Sequence, residues 1–380
     1  MTTPADSGVV MDSGTEPADM GTPEDMGEAD MGVADMGGGD MGTSPESAAI
    51  AMAAANPDTW VYVPVGGAKC RDGTDTGFVL RLQTGATDLV MYLQGGGACF
   101  NAATCSQNPS TFGETEAQLA PMALVEGIFD STSMDNPVAG WNMAFIPYCS
   151  GDVFGGTAEN VTVPGVAEPQ QFVGANNMQL FSDLLAAELP NTTQVLLTGS
   201  SAGGYGANLN LERVITAFGT TPVHMLNDSG QPFDPGLSVT SDCLSQLFYD
   251  LWGFNAPAAC TDCGATEAGF LGLSRYFATS YPMSKQAILS YTEDGVIRFF
   301  NAFGLNDCAG SATPVPGEDF RTEVLSLRTT IPSWGTFFVT GEAHTFLAGN
   351  DGYLNVEVME TSVAEYLQAF LNDDVRDVGP

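Results

Sequence analysis

The chain is 380 residues long and 44% hydrophobic, and it carries 46 acidic side chains against ten basic ones, a formal net charge of -36 at pH 7. Such a charge repels phosphate backbones and anionic surfaces, so nucleic acid is not expected as a partner. No apolar run approaches the roughly twenty residues that a membrane-spanning helix needs, so no spanning segment is expected either.

Residues 1–56 contain eleven of the acids and no Lys or Arg, and they repeat imperfectly as PADMG, PEDMG, EADMG, VADMG and GGDMG. So little apolar surface cannot offset the entropy of ordering a backbone, and the stretch is read as a disordered acidic linker. Residues 57–380 hold the hydrophobic runs, most of the aromatics and all the cysteines, and no second break of comparable length divides them. They are read as a single domain.

Continuous apolar tracts predict strands at WVYVPV (60–65), FVLRLQ (78–83), DLVMYLQ (88–94) and WNMAFIPY (141–148). After a helical period over 171–189 come strands at QVLLTGS (194–200) and PVHMLND (222–228), with helical periods at 209–218 and 242–254 between and beyond them. Strands QAILSYTED (286–294) and GTFFVTGE (335–342) follow, flanked by helical periods at 320–330 and 358–373. Continuous tracts belong to strands buried on both faces, and their alternation with helices predicts an α/β fold: a central, mainly parallel sheet with helices on both sides. Sites in such sheets lie at the carboxyl ends of the strands.

The eight cysteines, at 70, 99, 105, 149, 243, 260, 263 and 308, form an even set with one CxxC, and both histidines lie far from it. Structural zinc is not expected from that spacing; disulfides in an oxidising compartment are, with Cys99 and Cys105 closing a local loop and the other pairings open. An acidic linker ahead of a cysteine-paired domain suits an exported protein, extracellular, periplasmic or on the cell surface, whose signal peptide is absent from this sequence.

Gly199-Ser200-Ser201-Ala202-Gly203 fits G-x-S-x-G between a buried strand and a helix, a register that makes Ser201 the nucleophile and Ser200 its neighbour. A serine needs a base, and the candidates are His224, inside a strand tract, and His344, on a loop after the last long strand. The order nucleophile, acid, histidine favours His344. A carboxylate should hold that imidazole, and Asp294 at a strand end is preferred over its neighbour Glu293 and over Asp228. Gly95-Gly96-Gly97 after DLVMYLQ can aim bare amides at a tetrahedral oxyanion, together with the amide of Ala202.

These motifs together resemble the pectin acetylesterase family, which includes plant pectin acetylesterases and the animal Wnt deacylase Notum. The resemblance rests on CRDGTDTGFVLR (70–81), LQGGGACFNAATC (93–105), WNMAFIPYCSGDVFGG (141–156), GSSAGGYGANLN, NDSGQPF (227–233), YTEDG (291–295) and EAHTF (342–346). It implies an α/β-hydrolase fold and a serine carboxylesterase with no metal or cofactor, with Ser201, Asp294 and His344 as triad and Gly96, Gly97 and Ala202 as oxyanion donors. Gln94 stands where the family commonly has an acid and Ala98 where it has Trp or Tyr, so the pocket wall differs from the usual one. The implied substrate is an ester, foremost an acetyl ester of a carbohydrate, an acetylated polysaccharide included, acted on by a monomer. A deacylase for longer acyl chains, with Phe, Met and Leu between Leu244 and Met283 lining a pocket, is the alternative within the class. A surface-tethered binding module that keeps the fold without the chemistry is the alternative outside it.

Overall fold

Nine strands make the central sheet of the computed structural model, which describes residues 44–380. In chain order they are β1 (Trp60–Lys69), β2 (Asp75–Arg81), β3 (Asp88–Leu93), β4 (Asn142–Ile146), β5 (Gln194–Ser200), β6 (Val223–Asp228), β7 (Gln286–Tyr291), β8 (Gly335–Val339) and β9 (Asp377–Val378). Across the sheet they run β1-β2-β4-β3-β5-β6-β7-β8-β9. The pairs β1–β2 and β2–β4 are antiparallel, and every pairing from β4 to β9 is parallel. The fold is that of an α/β hydrolase.

The predicted strands are all present, and their continuous hydrophobicity has a direct cause. Val195 and Leu197 of β5 belong to the core on one face and Leu196 to the core on the other, all three fully buried. Side chains alternate across the sheet, yet both faces are covered, so no polar residue marks the alternation. One face is covered by helices that include Gly174–Glu188, which buries Met178, Phe181 and Leu185, and Gly317–Thr330, which buries Phe320, Val324 and Leu327. The helix Val363–Leu371 covers the other face with Leu367 and Phe370 among its buried residues.

The reading of 1–56 as linker needs correction over its last part. Pro45–Ala55 is a helix, capped by Ser44, whose side chain accepts from the Ser47 amide, with Pro45 in the first turn. It buries Ile50 and Ala53 in the core beside β1, and Glu46 accepts a hydrogen bond from the Gly66 amide. An alanine-rich run behind a Ser-Pro start forms a helix once an apolar stripe is available to dock. The DMG repeats lie outside the described residues.

All eight cysteines are paired, Cys70 with Cys149, Cys99 with Cys105, Cys243 with Cys308 and Cys260 with Cys263. The expected local closure is therefore present. Cys70–Cys149 spans 79 residues and ties the β1–β2 turn to the loop after β4; closing a loop of that size in the unfolded chain stabilises the fold by about 4–5 kcal/mol in the chain-entropy model.

The strand order reverses around β3, which lies between β4 and β5. Loops leaving the carboxyl ends of β3 and β5 diverge there, and the crevice they leave is where an open α/β sheet binds its ligand. The Gly95–Gly97 run follows β3 and Ser201 follows β5.

Candidate active site

β5 ends at Ser200 and a helix, Ala202–Leu209, begins two residues later, so the chain must reverse within Ser201. Ser201 takes φ 60°, ψ -121°, a conformation that costs a non-glycine residue about 1–3 kcal/mol and persists only when its surroundings hold it. The Ser201 amide is held by the Asp228 carbonyl at 2.8 Å. Small residues around it are obligatory: a Cβ on Gly203 would stand 1.9 Å from the Leu93 carbonyl oxygen, and one on Gly199 2.4 Å from the same atom.

The two serines differ in what their hydroxyls do. Ser200 is buried; its Oγ accepts from Tyr92 Oη at 2.9 Å and donates to Asp228 Oδ2 at 2.6 Å. Ser201 is half-exposed and lines a cavity. The adjacent hydroxyls thus face core and crevice respectively.

Asp294 lies just beyond β7 and is fully buried. Its Oδ1 accepts from the amides of Val296 and Ile297, capping the helix Gly295–Asn301, while its Oδ2 lies 2.7 Å from His344 Nδ1. One carboxyl oxygen is fixed by the helix start, and the other is left to orient the imidazole. The loops carrying the two residues are zipped together: Thr292 N to Val339 O, Glu293 N to Gly341 O and Gly295 N to Glu342 O are all within 3.0 Å. Arg298 reinforces this by donating to the Glu293 carbonyl and the Glu342 carboxylate. His344 Nε2 is buried and has no hydrogen-bond partner among the described residues.

The competing candidates fall elsewhere. His224 lies near the amino end of β6, about 13 Å along the strand from Asp228. Its Nδ1 accepts from the Lys285 amide, its ring meets Phe370 edge-on, and burial, aided by the Lys285 ammonium, pushes its pKa down to about 4. Glu293 faces Arg321 at 3.5 Å. Asp228 bonds to the backbone of the His344 loop and not to the imidazole, with Oδ2 accepting from the amides of Phe346 and Leu347.

The glycine run after β3 is compressed on every side. A Cβ on Gly95 would lie 2.7 Å from the Ser200 carbonyl, one on Gly96 2.8 Å from Tyr148, and one on Gly97 2.9 Å from the tip of Phe300. Gly97 has φ 78°, which L side chains rarely adopt. Among the described residues no main-chain hydrogen bond occupies the Gly96 or Gly97 amide, and the Ala202 amide opens a helix whose first turn has no internal acceptors. Gln94 turns to structure: its Oε1 accepts from the Tyr148 amide.

Beside Ser201 lies a cavity of about 70 Å³ with no charged residue in its lining. Phe100, Val153, Phe233, Phe248, Trp252 and Phe300 form much of its wall, and Ala98 leaves room within it. Trp252, which the sequence did not mark, donates from Nε1 to the Cys99 carbonyl at 2.9 Å and stacks on Phe248. Ala98, next to the glycine run, and Trp252, from a helix much later in the chain, thus line the same cavity. Cys260, Asp262 and Cys263 lie close enough together for metal ligation, but both sulfurs are spent in a disulfide.

The model of the pectinacetylesterase family matches residues 54–267. Among curated relatives, palmitoleoyl-protein carboxylesterase notum1a of Danio rerio is 32% identical over 188 residues, covering 47% of this chain and 37% of its own length. Palmitoleoyl-protein carboxylesterase NOTUM of Homo sapiens is 32% identical over 189 residues, with 47% and 37% covered. Pectin acetylesterase 11 of Arabidopsis thaliana is 28% identical over 206 residues, with 52% and 51% covered. The matched stretch thus spans only about a third to a half of these relatives' length. The crystal structure of the Wnt deacylase Notum from Drosophila superposes with a TM-score of 0.62 at 22% identity, covering 82% of this chain and 92% of that one.

Proposed function

The chain belongs to the pectinacetylesterase family, and from that premise we propose that it is a serine carboxylesterase using Ser201, His344 and Asp294. The observation that carries this reading is the half-buried His344 paired with the buried Asp294, its Nδ1 engaged and its Nε2 without a partner among the described residues. Nε2 takes the proton of Ser201 Oγ as that oxygen attacks the ester carbonyl. The amides of Gly96, Gly97 and Ala202 receive the oxyanion, and the imidazolium returns its proton to the departing alcohol. Water then attacks the acyl-enzyme with His344 as base, regenerating Ser201.

The cavity size supports a short acyl group. A pocket of about 150 Å³ holds a benzene molecule, so about 70 Å³ accommodates two to four carbons. Acetyl is the expected group. An uncharged lining beside a strongly acidic body favours an ester on a neutral alcohol, such as an acetylated neutral sugar, over polyanionic pectin. The aromatic wall supports a second reading, a deacylase for longer chains, which requires Phe300 or its neighbours to move aside. The paired cysteines suit an exported protein.

A panel of p-nitrophenyl acetate, butyrate and octanoate tests both readings. Acetate and butyrate should turn over with Ser201→Ala inactive, whereas octanoate as the best substrate supports the second reading. If a fluorophosphonate probe leaves the folded protein unlabelled, the catalytic reading is wrong and a binding module takes its place.

A further inference from the structure

The geometry points to Asp228 as a positioning residue: its carbonyl holds the Ser201 amide, and its carboxylate ties Ser200 of the elbow to the His344 loop, so one buried residue sets the separation of nucleophile and base. This rests on the roles given to Ser201 and His344 above.

Asp228 is the last residue of β6 and has no solvent exposure. Its carbonyl accepts from the Ser201 amide at 2.8 Å. Its Oδ2 accepts three bonds, from Ser200 Oγ at 2.6 Å, Phe346 N at 2.9 Å and Leu347 N at 3.0 Å. Its Oδ1 accepts from Ser229 Oγ at 2.9 Å. Neither oxygen touches the imidazole or the expected position of a substrate; the residue acts through the segments that it holds.

Backbone strain is gathered around the same residue. Ser201, Ser229 and Thr345 all have positive φ, at 60°, 65° and 66°. Each is bonded to Asp228, follows it, or directly precedes an amide bonded to it. For the β-branched Thr345 such a conformation is a true outlier, and it turns the chain directly after His344. Strained residues persist only where their surroundings over-determine them. At Thr345 that constraint comes from the two amides on Oδ2 and from Phe346, whose buried ring stacks on Tyr291 at 4.4 Å.

A carboxylate suits this task because one oxygen must accept three donors while the other accepts a fourth. An amide would keep one acceptor and turn an NH₂ toward Ser229. An alanine would keep the carbonyl that holds the Ser201 amide and leave Ser200 Oγ and the Phe346 and Leu347 amides without this acceptor.

The test compares Asp228→Ala and Asp228→Asn with Ser201→Ala and His344→Ala, using p-nitrophenyl acetate kinetics, the rate of fluorophosphonate labelling and thermal melts. A displacement of about 1 Å between reacting groups costs roughly a hundredfold in rate. Asp228→Ala should lose about that much in kcat and in labelling rate with KM unchanged, and Asp228→Asn should recover part of the loss. A purely structural role would lower the melting temperature and leave kcat per folded molecule intact. If Asp228→Ala fails to fold, Asp228→Asn decides, since parental kcat in that isosteric variant overturns the proposal. So does a loss that appears in KM. Inactive Ser201→Ala and His344→Ala beside fully active Asp228 variants overturn this inference alone; activity in all four overturns the assignment on which it rests.

Discussion

The two histidines sit in opposite surroundings on one sheet. His224 lies inside β6 near the amino end, with its Nδ1 engaged by the Lys285 amide and Phe370 against its ring. His344 lies beyond the carboxyl end of β8, with a buried carboxylate at Nδ1 and no hydrogen-bond partner at Nε2 among the described residues. At the amino end, burial and a neighbouring ammonium disfavour the His224 imidazolium; at the carboxyl end, Asp294 fixes the orientation of the His344 ring. On the proposed mechanism an identical side chain serves packing or chemistry according to which end of the strands holds it and whether an acid is brought there with it.

The largest expected effect breaks or upholds that contrast outright. His344→Ala should lower kcat on p-nitrophenyl acetate by about 10⁵ to 10⁶, while His224→Phe should leave kcat and KM unchanged. Comparable losses in the two variants would erase the distinction between the ends. Asp294→Asn asks whether the acid is what separates them: the tautomer and the charge are lost together, and kcat should fall by about 10⁴. A third substitution separates shape from chemistry at the carboxyl end. Phe300→Ala opens the wall over Gly97 and should raise octanoate turnover relative to acetate by roughly tenfold, with labelling of Ser201 unaffected; an unchanged ratio means that Phe300 does not limit the acyl group.

The smallest effect belongs to the amino end. The pKa of His224 is lower folded, about 4, than its ordinary value of 6.5, so the unfolded chain binds the additional proton. Its contribution to stability is complete above the unfolded value and disappears as pH falls through the folded one. Urea midpoints measured across that window should fall less steeply in His224→Phe than in the parent, and identical slopes would show that His224 is not held neutral.

The parts legible in the sequence were those whose cause is local. Strands such as VLL at 195–197 are continuous because both faces are covered, and a glycine-serine elbow is legible because no larger residue fits beside Leu93. The helix Pro45–Ala55 was hidden by company: its Ser-Pro start and alanine run are favourable, but it adjoins an acidic repeat of the same composition class. The helix Gly269–Ser280 was obscured by glycines needed for close approach, since a Cβ on Gly272 would lie 2.4 Å from the Asp262 carbonyl. Least legible is the placement of Asp228, because two of its partners are backbone amides 118 and 119 residues away. Backbone amides carry no letter code.

Phe233, Phe248, Trp252 and Phe270, all on the cavity wall, come from the single excursion between β6 and β7, over 229–285. Ser201, Asp294 and His344 come from outside it. The Cys243–Cys308 disulfide anchors this excursion to the segment beyond β7, so it is tethered at a fixed point besides its two strand ends. On the proposed esterase reading, substitutions at Phe233, Phe248, Trp252 and Phe270 reshape one side of the acyl pocket without altering Ser201, Asp294 or His344.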